Sequence, residues 1–324
     1  MTRLALLGAV AVGTAFWVST RVGVLETTSG GWWGNPIWRL RALRAAAAAV
    51  VGGALGMAGA AIQGLLRNPL GEPYVLGVSS GAGVGVRVAM LVGTGAGWGA
   101  WRLPAFAFAG AALSAAAVAA AAWRSGRRDP WSLVLAGVMA NVVNGAIIMA
   151  LYLVAEPLRL DEFARWSMGE LPEAVEPALL VICAALVAVG AAALLRAAAA
   201  LNAAALGDDV AHSLGVDVAG LRRTVLCAGG AMTAAAVALA GPVGFVGLLV
   251  PHIGRRAVGP DQRRLLIWSA FAGAALLVAA DAACRAAGRA WGIGRLPVGL
   301  LTALVGAPAF LLALSRPPEG DRMP

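Results

Sequence analysis

Covalent chemistry needs nucleophiles, proton carriers or metal ligands, and this sequence is poor in all three. It has two histidines, His212 and His252, three cysteines, Cys183, Cys227 and Cys284, and no lysine. A phosphate-cradling loop needs its lysine and a Schiff-base enzyme needs an amine, so this chain does neither; if ATP drives it, another subunit binds the nucleotide. Each cysteine lies in an apolar run, where a thiol behaves as a small hydrophobe, so no disulfide, no metal cluster and no bound cofactor are expected. Two isolated histidines make neither a metal site nor a haem ladder, and His252, in a Val-Pro-His string, reads as a packed ring. The polar residues that stand out are instead embedded in apolar stretches: Gln63, Ser79, Ser80, Arg87, Asn141, Asn144, Asp281 and Arg285.

The elements that carry them are membrane helices. Of 324 residues, 60% are hydrophobic and only 13% charged, and the mean hydropathy is +0.81, which excludes an ordinary water-soluble domain. One crossing takes about 20 apolar residues, so the length holds roughly ten helices and leaves no room for a soluble domain. Apolar windows fall at 4–24, 43–66, 74–93, 104–123, 131–155, 177–200, 222–240, 244–258, 266–287 and 297–314. The expected fold is all-α, a single membrane domain over 1–324 with about ten spans and short loops. Arg3 and the apolar stretch behind it resemble a signal peptide, but the spans that follow make an uncleaved first helix the preferred reading.

Two spans look broken. The eighth is short and contains Pro251, and the third carries Gly77, Ser79, Ser80, Gly81 and Gly83. Irregular backbone at membrane depth survives only against protein or a wet cavity, so both are candidates for a translocation path. Asn141 and Asn144, at i and i+3, share a face of the fifth span; they either bond to a neighbouring helix or line a wet conduit, and Gln63 has the same two readings. The path residues are therefore Gln63, Gly77, Ser79, Ser80, Asn141 and Asn144. Arg87 is a functional candidate as an intramembrane charge, or else it snorkels. Asp281 and Arg285, at i and i+4, predict a local structural ion pair. Residues 58–69 (AGAAIQGLLRNP) and 240–251 (AGPVGFVGLLVP) echo one another faintly, a hint of duplicated halves.

The formal charge of +9 comes from arginine alone and is scattered over loop ends, which suits topology and lipid headgroups better than nucleic acid. With the termini inside, Arg124, Arg127, Arg128, Arg196, Arg222, Arg223, Arg255, Arg256, Arg263 and Arg264 are cytoplasmic, and the loop with Glu156, Asp161, Glu162, Glu170, Glu173 and Glu176 is outside. Arg39, Arg41, Arg44, Arg159, Arg165 and Arg295 run against this bias. The most informative polar connection, 201–223, has Gly207 and Asp208 opening a helix with an acidic first turn. Val210, Ala211 and Leu214 form an apolar face, and Gly215 closes it in the left-handed region. Such a helix either docks in a partner's groove or lies on lipid.

Five ordered strings, RAAAAAVVGGALGMAGAAIQGLLRNPLGEPYVLGVSSGAGVG (44–85), ALGDDVAHSLGV (205–216), AGPVGFVGLLVPHIGR (240–255), VGPDQRRLL (258–266) and LPVGLLTALVGAPAFLLAL (296–314), resemble the iron-chelate and vitamin B12 permease family of ABC importers. The resemblance implies a ten-helix permease of the bacterial cytoplasmic (inner) membrane, both termini cytoplasmic. It would work as a homodimer, or with a close homologue, between two cytoplasmic ATP-binding subunits and a periplasmic or lipid-anchored substrate-binding protein. It also implies that Leu206, Gly207, Asp208, Asp209, Ala211, Leu214 and Gly215 contact the ATPase, and that Arg41, Arg44 and Arg295 meet acidic residues of the binding protein. Leu43 stands where the family usually has proline, which alters the turn before Arg44; headgroup anchoring is the other reading of these three arginines. The family's cargoes imply an iron chelate, ferric siderophore or haem, with cobalamin next. A secondary transporter would want free intramembrane acids, and an intramembrane enzyme a nucleophile and base; the sequence supplies neither set.

Overall fold

The computed structural model describes residues 2–21, 36–92, 99–124, 130–153, 160–292 and 294–315. Among them are two 3-10 turns, Pro73–Leu76 and Gly99–Trp101, and thirteen α-helices, with no strand. The helices are α1 (Thr2–Arg21), α2 (Pro36–Leu66), α3 (Val78–Leu91), α4 (Arg102–Arg124), α5 (Pro130–Tyr152), α6 (Leu160–Ser167), α7 (Pro177–Arg196), α8 (Ala198–Ala205), α9 (Asp208–Ser213), α10 (Val218–Ala240), α11 (Val246–Val258), α12 (Gln262–Trp291) and α13 (Val298–Ser315). Six contain stretches long and apolar enough to cross a membrane, in α2, α4, α5, α7, α10 and α12, while α1, α3 and α13 carry shorter apolar stretches. Each apolar window of the sequence lies on a helix. The helix α6 was not expected, because the sequence reads that region only as an acidic loop. Arg127, Arg128, Glu156 and Arg159 lie outside the described residues.

The axis of the fold is α2, 78% of whose apolar window is buried inside the protein beneath α12, α10 and α11. Lipid is as apolar as a leucine side chain, so helices in it associate through close packing, which small residues allow. A methyl group on Gly52 or Gly56 would collide with the Gly273 and Ser269 carbonyls of α12, and one on Gly59 with the Gly247 carbonyl of α11. The alanines between them, Ala54, Ala58, Ala60 and Ala61, are fully buried.

The two segments expected to be broken are continuous helix through 79–83 and through Pro251; the irregular backbone precedes each helix, at 71–77 and 241–245, and these two stretches are strapped to each other. The Tyr74 hydroxyl donates to the Val243 carbonyl (3.1 Å) and accepts from the Val243 amide (2.9 Å). The Glu72 carboxylate accepts from the Phe245 amide (3.1 Å), at the residue that opens α11 with a φ of 68°. Gly77, φ 71°, turns the chain from the 3-10 turn into α3. Irregular backbone is here sheltered by protein, as an apolar surround requires. The faint sequence echo is not a structural repeat, because 58–66 is unbroken helix whereas 241–245 is a turn.

Candidate functional site

The polar connection folds as expected into a short helix, α9. Its C-terminal end is a Schellman closure: the Gly215 amide donates to the His212 carbonyl (2.9 Å) and the Val216 amide to that of Ala211 (3.0 Å), with Gly215 at φ 81°. That geometry satisfies carbonyls that a six-residue helix would otherwise leave open. Gly207, at φ 118°, makes the entry turn, which strains any residue with a side chain.

The faces of this helix differ from the expectation in one respect. Ala211 is fully buried, but Leu206, Val210 and Leu214 are exposed, Leu206 and Leu214 by more than 60%. The apolar face is therefore split, with alanine inward and the larger side chains outward. Asp208 is not a free surface acid. Its carboxylate pairs with Arg67 (2.6 Å), just beyond α2, and with Arg222 on the first turn of α10. Arg67 itself is held at φ 50°, an unfavourable backbone for a residue with a Cβ, which fixes the direction of its side chain. Asp208 thus joins α9 to the central helix and to α10. Its exposed partner Asp209 stays on the surface.

Towards the end of the molecule away from α9 stand Arg41, Arg44 and Arg295, the arginines expected to meet a binding protein, and Arg44 is not exposed there. Arg44 is buried, and its guanidinium grips Asp281 of α12 through Nε (3.0 and 3.2 Å) and Nη2 (2.8 Å). Arg285 makes the expected i,i+4 contact to the same carboxylate (3.1 Å) and reaches Ser19 of α1 (2.5 Å). Asp281, fully buried, therefore ties α1, α2 and α12 together, so Arg44 has no free guanidinium to offer a partner. Its position two helical turns inside α2, facing Asp281 of α12, accounts for the correction. Arg41 remains part-exposed, near the Thr20 carbonyl (3.4 Å), and Arg295 is exposed and paired with Glu173 (2.6 Å).

The residues expected to line a path separate into two groups. Gln63 is buried within the bundle and does not line a conduit. Pro251 lacks the amide proton that would bond the Gly247 carbonyl, and Gln63 Nε2 supplies donors there instead, 3.4 Å from the Gly247 oxygen and 3.2 Å from that of Leu248. Arg255 completes the arrangement by donating to Gln63 Oε1 (2.5 Å). By contrast, Ser80 of α3 and Asn141 and Asn144 of α5 come together. Ser80 Oγ lies 2.6 Å from Asn141 Oδ1, and Asn144 Nδ2 donates to Ser80 (2.9 Å) and to Ser114 of α4 (2.8 Å). The Asn pair thus bonds to neighbouring helices. Gly77 is buried and Ser79 half-buried beside this cluster. Ser114 was missed because one serine in an alanine-rich helix carries no periodic signal. Next to the cluster, α5 exposes Val138, Met139, Val142, Val143 and Ile147.

Arg87 does not snorkel. It is fully buried, none of its guanidinium nitrogens has a hydrogen-bond partner, and its charge faces the ring of Tyr152 at 4.1 Å and that of Phe163 on α6 at 5.6 Å. His252 packs edge-on against Phe310 (5.5 Å), as a core ring does.

A model of the FecCD transport family matches residues 3–316. The chain belongs to that family. It is similar to the cobalamin import system permease protein BtuC of Halobacterium salinarum, 42% identical over 85% of this chain and 72% of that protein. It is also similar to the hemin transport system permease protein HmuU of Yersinia pestis, 36% identical over 87% of this chain and 84% of that one. Among solved structures, a metal-chelate type ABC transporter in an inward-facing conformation superposes with a TM-score of 0.84 at 25% identity, covering 98% of this chain and 99% of that one. This FecCD-family chain is a multi-pass permease subunit of an ABC importer.

Proposed function

We propose that the chain forms, as a homodimer, the membrane path of an importer for a bulky metal chelate, driven by two separate ATPase subunits that grip α9. One observation carries this reading: α9 and its two ends present Leu206, Val210 and Leu214 to the outside, while Asp208, part-exposed, is held by Arg67 and Arg222. A surface helix with an apolar outer side and a rigid ionic root is suited to receive a partner and to pass its displacement to α2 and α10. Ten helices, α1 to α5, α7 and α10 to α13, cross the inner membrane in this account, as one domain with α9 and both termini in the cytoplasm. The exposed side of α5, beside Asn141 and Asn144, lines a wide and weakly polar cavity on the dimer axis. Arg41 and Arg295 receive the substrate-binding protein, where exposed charges orient more than they bind.

The relatives named for cobalamin and hemin support a large macrocyclic metal chelate as cargo, cobalamin or haem, with ferric siderophore as the other member of the class. A gradient-driven mechanism is disfavoured, since Asp281 is neutralised by two arginines and has no room to carry a proton or a sodium ion. The test is co-purification of the ATPase with permease variants. Leu206→Glu and Leu214→Glu introduce charge at the apolar contact and are expected to weaken ATPase binding by about thirty-fold each, the loss of a binding hot spot. Undiminished assembly in the double variant would overturn the reading. Titrating the cognate binding protein with cobalamin, haem and a ferric siderophore then identifies the cargo.

A further inference from the structure

At the end of the molecule that carries α9, an open pocket of about 290 Å³ is lined by Leu195, Arg196, Ala198, Ala199 and Arg263. We propose that this pocket is a binding site for the headgroup of an anionic phospholipid. Three features of the site point to that ligand.

The first is where Arg196 stands. Along α7 the exposed residues are Ala178, Val181, Ile182, Ala185, Ala188, Val189 and then Arg196, the stripe of one helix face, and Ala199 is exposed just beyond it on α8. Every member before Arg196 is apolar, so this is a surface made for acyl chains. The helix is 20 residues long, which at 1.5 Å per residue is about 30 Å, the thickness of the hydrocarbon layer. Arg196, its last residue, therefore stands at the level of the phosphates, directly beneath a lipid-facing stripe.

The second is charge. Arg196 and Arg263 line the same pocket, and neither forms an ion pair among the described residues. The nearby carboxylate, Asp261, is already engaged: it caps α12 through the Arg264 amide (2.9 Å) and accepts from Asn202 (3.0 Å). Two guanidiniums with no salt bridge among the described residues, Arg263 feeling Asp261 only through a longer-range attraction, suit a phosphodiester, which each can bind in a planar, two-pronged fashion. The third is shape. The floor of Leu195, Ala198 and Ala199 is small and apolar, so the pocket admits a headgroup and glycerol while the acyl chains run along α7. A basic pocket between membrane helices at a headgroup level is a recognised setting for anionic lipid.

The test uses the dimeric permease in nanodiscs of phosphatidylcholine containing a minor fraction of phosphatidylglycerol, and reads bound lipid by native mass spectrometry. The intact protein is expected to retain phosphatidylglycerol over phosphatidylcholine. Each of Arg196→Gln and Arg263→Gln is expected to lower that preference by about five-fold, the equivalent of roughly 1 kcal/mol per arginine at a charged membrane surface. A photoreactive acyl-chain phosphatidylglycerol should cross-link to α7 in the intact protein and not in the double variant. Unchanged phosphatidylglycerol preference in the double variant would overturn the proposal. So would displacement of the lipid by millimolar inorganic phosphate, which would make the pocket a free-anion site. Cross-linking of a photoprobe at Ala199 to the ATPase in place of lipid would also refute it, as a protein interface.

Discussion

Replacing Asp281 by asparagine tests the reading of the buried cluster most sharply, because the triad is asymmetric in charge. Two guanidiniums, from Arg44 and Arg285, share one carboxylate that is wholly inaccessible. Asp281→Asn keeps the size of the side chain but leaves both cations buried without a counter-charge. Removal of one member of a buried pair costs about 3–5 kcal/mol. Arg44→Met, in contrast, removes the bidentate bonds at 2.8 to 3.2 Å but leaves a neutral Asp281–Arg285 pair, so its cost should be nearer that of a lost charge-assisted bond, about 1.5–3 kcal/mol. Combining the two restores the original net charge of the site, and the double variant is expected to be more stable than Asp281→Asn alone. Thermal unfolding of the purified protein, followed by tryptophan fluorescence in one detergent, gives the ranking. The reasoning is refuted if Arg44→Met unfolds at or below the temperature of Asp281→Asn, or if the double variant is the least stable of the three.

Other consequences are more local. Gln63→Leu removes the donors that serve the Gly247 and Leu248 carbonyls and the acceptor of Arg255; a loss of about 1–3 kcal/mol is expected for the stranded groups, with increased hydrogen exchange in α11 as its local signature. Tyr152→Leu should cost about 2 kcal/mol more in the parent than in an Arg87→Met background, the value of a desolvated cation–π contact, measured by the same unfolding assay; equal costs in the two backgrounds would contradict the role assigned to the rings. The Asp261 carboxyl lies below the usual carboxylate range, because the Arg264 amide donates to it, aided by Asn202 and the nearby Arg264 and Arg263 charges. A carboxyl depressed on folding adds stability above its unfolded value and loses it as pH falls through its folded one. Asp261→Asn should therefore narrow the stability difference between neutral and acidic pH, and an unaltered pH profile would exclude that contribution.

Much of the fold was legible because periodic apolar windows need no partner to be recognised: each of those windows carries a helix. Glycine marked the irregular entry to α3 at Gly77, whereas Pro251 lies inside unbroken helix and the irregular stretch precedes it at 241–245. What sequence spacing missed was every contact across the chain. Asp281 and Arg285 are four residues apart and announced their pair, while Arg44, 237 residues away, gave no sign of closing on the same carboxylate. Gln63 looked like a pathway residue because nothing local relates it to the carbonyl freed by Pro251. The short helix α9 was recovered with its glycine boundaries, since capping is local. Its inner anchorage was not, because Arg67 and Arg222 reach Asp208 from separate helices. The short α6 escaped notice as its acidic first turn read as loop, although Phe163, which faces Arg87, and Trp166, which packs on Phe163, recur at helical spacing.

The central claim is that Asp208 is the rigid root through which the motion of α9 reaches the membrane helices. The direct measurement is cargo moved per ATP hydrolysed in proteoliposomes holding the assembled importer, comparing the parent with Asp208→Asn. The account predicts that the variant keeps its ATPase subunits and hydrolyses ATP while uptake per ATP falls at least about ten-fold, the effect of losing roughly 1.4 kcal/mol of mechanical coupling. An unchanged ratio in a fully assembled Asp208→Asn importer would contradict it.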